Sequence, residues 1–393
     1  MNPYGDDSAY RSAPDPTPDS APDPAPDPTS DRAPDPVLDP APEPGSPVAA
    51  LADVEAWKAR KTYPSTLLAG GPVFGVARER AEGGWELQPY FSGLAPQDAR
   101  DSLGSHFRAL AGAEPAGSAA RAEYLAAGDL LDQDDAPDEL TVRGERFRVV
   151  RAERFIRMGP DGPEPPRATD PDPAPGPGRT GDPVATPDPA AGLVIDPAPP
   201  GTSEGAIEAE LLAALRKNDT VPSDVYDDSR TAARTHPGTV LLPATFMTAE
   251  REGGRWRPHS TGTAAAPRDA RDGLAVHLRV LVPWQQDLTP EEHEVYKRAA
   301  DRLDAEQPDE LDVAGRHFRI VRVERLVRVG PDGPEGPRPS DLDPLPTDSR
   351  LPEQSRSAHE DDLAEPDASA RRFLELFEEE HRRRTSRSSG GRS

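Results

Sequence analysis

An α+β architecture, made of two tandem duplicated small domains of antiparallel sheet and helices, follows from three features of this 393-residue chain. One motif occurs twice. Its first copy runs from Pro137-Asp138-Glu139-Leu140 through Phe147-Arg148 to Gly159-Pro160-Asp161-Gly162-Pro163-Glu164. Its second copy runs from Pro308-Asp309-Glu310-Leu311 through Phe318-Arg319 to Gly330-Pro331-Asp332-Gly333-Pro334-Glu335. The constant offset of 171 residues marks a repeated unit, not a composition bias. The aromatic residues mark the same regions, since 16 of 20 lie between Trp57 and Phe155 or between Tyr226 and Phe318. Elsewhere, 50 prolines and an overall hydrophobic fraction of 34% leave long stretches that cannot bury a core.

Residues 1–47 read as a disordered acidic Pro/Asp-rich tail, extended by its prolines and by like-charge repulsion. The first repeat is placed at 48–167. There Asp53 is expected to cap a short helix that ends at Tyr63-Pro64. Strands at Pro72–Val76 and Trp85–Tyr90 flank a Gly83-Gly84 turn. A helix follows Pro96, and a second covers 119–131. Glu139–Val142 and Phe147–Met158 read as a hairpin with a long second strand. The second copy decides this, because Ile320, Val321, Val323, Val327 and Val329 are β-branched and favour strand over helix.

Residues 168–201 are a disordered linker with a short element at Leu193–Ile195, and 202–341 hold the second repeat, led by an extra amphipathic helix over 204–217. A linker at 342–367 precedes a helix at 368–384 whose Glu378, Glu379 and Glu380 each meet an arginine four residues on, and 385–393 form a disordered tail.

Composition narrows the functional classes. A net charge of −25 argues against a nucleic-acid-binding module, which remains the weakest of the readings. The absence of cysteine excludes disulfides and thiolate chemistry. No apolar run approaches the ~18 residues of a membrane span, so no membrane partner is expected and the location reads as cytoplasmic.

The repeated Phe-Arg-x-Val-Arg-x-Glu-Arg-x-x-Arg-x-Gly-Pro-Asp-Gly-Pro-Glu-x-Pro-Arg run ends at Arg167 and Arg338. With the upstream Trp57, Tyr63-Pro64 and Gly71-Pro72, it resembles an actinobacterial, largely streptomycete, domain family of unknown function, present here as two tandem copies. The resemblance implies family membership and brings no activity, substrate or active site. The second copy departs from it, with Asp228 near the place of Trp57 and His236 for Tyr63.

Two sets of residues are candidates for function. Arg148, Arg151, Arg154 and Arg157, with Arg319, Arg322, Arg325 and Arg328, line the long strands and could hold an acidic or phosphorylated partner through paired guanidinium hydrogen bonds. The competing reading neutralises them with Glu153 and cross-strand neighbours. Contact between these arginines and the chain's own acidic tethers is also expected. His106 and His277 occupy equivalent positions and suit a general base beside Asp101 or Asp272, or else a structural histidine on an apolar helix stripe. No phosphate loop, nucleophile elbow or metal-ligand spacing appears, so no catalytic residue, cofactor or metal is assigned. The resulting expectation is a non-enzymatic interaction or adaptor protein that binds protein partners. The alternative is an enzyme of unrecognised class with a cleft near His106.

Overall fold

The described residues of the computed structural model are 47–89, 91–173, 187–195, 205, 209, 210, 212, 222–259, 262–343 and 368–390. The expected tail up to residue 46, parts of the 168–201 linker and of the 204–217 helix, the 344–367 linker and the last three residues lie outside them.

The chain begins with α1 (Pro47–Thr62), which starts six residues before the expected cap, so that Asp53 sits within the helix. Pro47 suits a first helical turn, and the alanines after it carry the helix on. After Pro64 comes a strand that sequence reading missed, β1 (Ser65–Leu68). β2 (Val73–Glu79) and β3 (Trp85–Leu87) form a hairpin whose turn glycines, Gly83 and Gly84, take φ of 98° and 78°. α2 (Pro96–Ala113) opens with Asp98 accepting the backbone N–H groups of Leu94 and Ala95, which would otherwise be unpaired. Then follow α3 (Ala119–Leu131), β4 (Glu139–Val142), the long β5 (Glu145–Gly159) and β6 (Gly162–Pro163). β7 (Val194–Ile195) pairs with β3.

The second segment repeats the order with variations. It holds α4 (Ser223–Thr235), β8 (Gly238–Glu252), β9 (Arg255–Pro258) and α5 (Pro267–Val276). β8 is one strand where the first segment uses both β1 and β2. α5 runs into a π-helical turn, His277–Leu281, and then α6 (Val282–Gln285). Pro283 explains the turn. Its ring would strike the carbonyl four residues back in a regular helix, and a wider turn relieves that clash. α7 (Pro290–Glu306), β10 (Glu310–Val313), β11 (Arg316–Gly330), β12 (Gly333–Pro334) and α8 (Ala368–Gly390) complete the described chain.

The fold is α+β, with a curled antiparallel sheet and helices. Two separate sheets were expected, but among the described residues strands of both segments join one sheet of twelve. Its centre is the antiparallel pair β5–β11, where Arg154 stands opposite Arg325. Those two residues are themselves 171 apart, so the pair lies on a local two-fold axis relating the segments. On one side α2 and α3 bury Leu103, Phe107 and Leu131 against Phe74, Phe147 and Val149. On the other, α5, the π-helical turn and α7 bury Leu274, Leu278 and Leu303 against Phe246, Phe318 and Ile320.

The turns after the long strands cross between the segments. The backbone N–H of Arg151 donates to the Glu335 carbonyl, and that of Arg322 donates to the Glu164 carbonyl, each at 2.9 Å. Gly162 lies against the Trp256 indole and Gly333 against that of Trp85, where a Cβ would meet the ring at 2.3 Å in both cases. Both glycines have positive φ, 117° and 113°. Gly162→Ala and Gly333→Ala should therefore each cost about 2 kcal/mol or more, from overpacking and the left-handed backbone together. Urea denaturation of the two variants is the check, and the costs should match because the two environments match.

Candidate functional site

The arginines of the long strands are interior groups. Seven of the eight are buried, and the side chain of Arg322 is only 11% exposed. A guanidinium cannot shed its proton in a protein, so each one taken from water needs acceptors. Arg148 bonds the Glu139 and Asp332 carboxylates at 2.7 and 2.6 Å and stacks on Trp85, while Arg319 bonds Glu310 and stacks on Trp256. Arg151 holds Glu153 at 2.6 Å and Asp341 at 2.9 Å, and Arg338 reaches the same Glu153 at 3.0 Å. The matching set is Arg322 with Glu324 and Asp170, and Arg167 with Glu324. Arg325 pairs with Asp188, and Arg154 donates to the Gly70 and Gly71 carbonyls. Arg157 pairs with Glu210 at 3.0 Å. Arg328 has no hydrogen bond or ion pair among the described residues, and its buried Nε is unpartnered.

Burial pushes the Glu153 carboxyl up, but Arg151 and Arg338 outweigh it and hold the group below the ordinary carboxylate range. Glu324 is held down in the same way by Arg322 and Arg167 against its own burial.

The two histidines part company. The buried stripe of α2 runs through Leu103, Phe107 and Ala111, which leaves His106 exposed on the flank. Its ring leans on Phe107 and Phe147, and that cover lowers its pKa, with Glu145 opposing. Asp101 does not serve it; its carboxylate accepts from Gln97 at 2.7 Å. His277 opens the π-helical turn, and its Nε2 is buried without a partner. It stacks edge-on against His259, ring centroids 4.3 Å apart. Asp272 stands apart from this pair, its backbone carbonyl accepting from Arg384.

His259 and His277 line a cavity of about 450 Å³, walled by Phe246, Met247, Leu274 and Leu281 on the apolar side and by Thr248, Thr263 and Asp269 on the polar side. The carboxylate of Glu250 lies 3.2 Å from His259 Nδ1, while Arg316 pairs with the same Glu250 at 2.7 Å. The first segment has the corresponding ion pair with its signs exchanged, Arg78 to Glu145 at 3.0 Å. Gln88 holds the place of His259, its N–H bonding Val76 as that of His259 bonds Thr248. Sequence reading found His277 through its equivalence to His106 but missed His259, whose only signal was its position just past the Trp256 strand.

No group of three or more His, Asp or Glu among the described residues is placed to hold a metal ion. No described helix is long and apolar enough to cross a membrane. A model of a family of unknown function, DUF5954, matches residues 46–344 without a break between the segments. The chain belongs to the DUF5954 family. Neither the curated proteins nor the solved structures contain a match.

Two outcomes follow for this DUF5954 chain. Glu153→Gln strips the shared partner from Arg151 and Arg338, and Glu324→Gln does the same to Arg322 and Arg167. Each should cost about 3–5 kcal/mol in urea denaturation, the scale of breaking a buried ion pair from one side.

Burial, reinforced by His259 and Arg316 and opposed by Glu250, lowers the pKa of His277 to about 4. The unfolded chain takes up that proton near the ordinary value of about 6.5. Stability from this group is therefore full above the unfolded value, is lost as pH falls towards 4, and levels off below it. The His277 ring should titrate near 4 by NMR; a midpoint near 6.5 would contradict the burial.

Proposed function

We propose that this is a non-enzymatic binding protein whose ligand enters the cavity between β8 and α5. The observation that carries the reading is the buried, unpartnered Nε2 of His277 on the wall of a mainly apolar cavity. Such a site takes a ligand with an apolar body and one convergent polar group. Both ring pKa values are lowered by burial, so the imidazoles are neutral near pH 7 and favour an uncharged ligand. The π-helical turn that presents His277 is a feature frequent at functional positions.

The two segments read as one ancestral unit duplicated and fused, an internal dimer in which only the second copy kept a histidine pair. The exchanged signs of Arg78–Glu145 and Glu250–Arg316 support that history, since an inverted ion pair keeps the packing while changing both residues.

Gly273 provides the test. It lies on the cavity wall, and a Cβ there would meet nothing within 4 Å. Gly273→Leu should raise helix stability by about 0.5–1 kcal/mol while occupying the cavity. With indole as probe, NMR of the wild-type chain should show shifts at His259, His277 and Leu274, and Gly273→Leu should abolish them. Absence of shifts in the wild-type chain, or their persistence in the variant, defeats the proposal.

A second reading is favoured by the Glu250–His259 contact, which orients an imidazole as a general base. It predicts that a bound ligand is consumed and that His259→Gln stops consumption without stopping binding.

A further inference from the structure

Arg157 and Arg328 occupy the same place in the two segments. Arg157 stands opposite Thr66 on β1, and Arg328 opposite Thr239 on β8. Two positions further on, Gly159 packs under the end of α1, where a Cβ would lie 2.5 Å from the Thr62 carbonyl. Gly330 packs under the end of α4, with the Thr235 carbonyl at 2.6 Å. The helices over the two arginines therefore correspond with an offset of 173. The same offset aligns Glu55, which accepts the Thr169 N–H, with Asp228, which accepts that of Ser340.

The surroundings are alike, but the occupant is not. In the first segment the Glu210 carboxylate bridges Arg157 on the strand and Arg60 on α1. Glu210 is brought there by helical residues next to Leu212, which, like Ala56 and Leu68, packs against the cluster of Phe155 and Leu326. In the second segment the offset puts Ala233 in the place of Arg60, and among the described residues no carboxylate bonds Arg328. Arg328 is nonetheless 5% exposed, and its Nε is buried. Nearby acids are already engaged. Glu153 is shared by Arg151 and Arg338, and both oxygens of Glu335 accept from Arg338. A buried guanidinium with unused donors is costly, and a carboxylate is the acceptor that its planar fork fits.

We propose that the slot between Arg328 and α4 is a carboxylate-binding subsite, filled in function by an acidic side chain as Glu210 fills the corresponding slot of the first segment. Among the eight arginines first considered for acidic partners, Arg157 and Arg319 also leave a buried Nε unpartnered, but the guanidinium of Arg328 alone makes no hydrogen bond or ion pair among the described residues. The inference does not depend on the histidine-lined cavity, whose walls, among them Phe246, Thr248, His259 and His277, do not include Arg328. The carboxylate has two sources with the same chemistry: the chain's own acidic residues at 344–367, or a separate acidic molecule.

Side-chain Nε–H NMR of the full chain separates them, with Arg328→Lys identifying the resonance and glutarate as the added probe. With the chain's own acids as the source, the Arg328 Nε–H of the wild-type chain should exchange slowly. It should then speed up by about tenfold or more when the acids of 344–367 are changed to amides, the scale of one charge-assisted hydrogen bond. With an external source, the wild-type signal should exchange fast, then shift and slow when glutarate is added, while that of Arg157 stays put. Ala233→Glu supplies a carboxylate from α4 and should slow Arg328 exchange, raise Tm and suppress the glutarate response. An Arg328 signal that neither the acid-depleted chain nor glutarate changes would overturn the proposal. So would an unchanged signal in a folded Ala233→Glu chain.

Discussion

The constraint on which the rest of this structure depends is the charge carried into its centre. β5 and β11 meet antiparallel with Arg154 opposite Arg325, and arginines recur along both strands on either side of that point. Permanent cations there need carboxylates that stay ionised, and much of the supply comes from the other segment. Asp332 and Asp341 serve Arg148 and Arg151, while Asp170 serves Arg322. Further out, Asp343 bonds Arg100 on α2 and Asp172 bonds Arg271 on α5. The Gly-Pro-Asp-Gly-Pro-Glu turns, which sequence alone presents as simple strand endings, are the devices that carry these acids across.

Such pairs give little net stability compared with an apolar core of the same shape. What they provide is a specific register. A slip of one residue between β5 and β11 would move every guanidinium to the opposite face and away from its acid. The hydrophobic clusters under α2 and α5 supply the driving force, and the ion pairs select which pairing of the strands it drives.

Much of the architecture was legible in the sequence because it rests on local signals. The β-branched run of β11 gave the long strands, Pro96 gave a helix start, and Gly83-Gly84 gave a turn. β1 was missed because Ser65–Leu68 is only four residues long and its strand character comes from pairing with β5. The union of two sheets into one was illegible for a related reason. The edges that pair, Ala152 to Phe155 and Glu324 to Val327, look the same whether they face solvent or each other. Of the candidate site, His277 could be found by equivalence, whereas His259 has glutamine as its counterpart and enters only when β9 folds back over β8. The arginines were visible as a pattern, but their burial depends on turns that come from the far segment.

The crossing of the turns also imposes an order in time. Asp170 finds its partner Arg322 on β11 and Asp172 its partner Arg271 on α5, which lie about a hundred residues or more further along the chain. A growing chain that has emerged only as far as Glu164 carries the arginines of β5 and has no Asp332, Glu335 or Asp341 to meet them. Contacts so distant in sequence are slow to form, and their absence leaves an unpaired, charged strand edge open during synthesis. The first segment is thus a half-finished object until the second is made, and the final closing step belongs to the whole molecule.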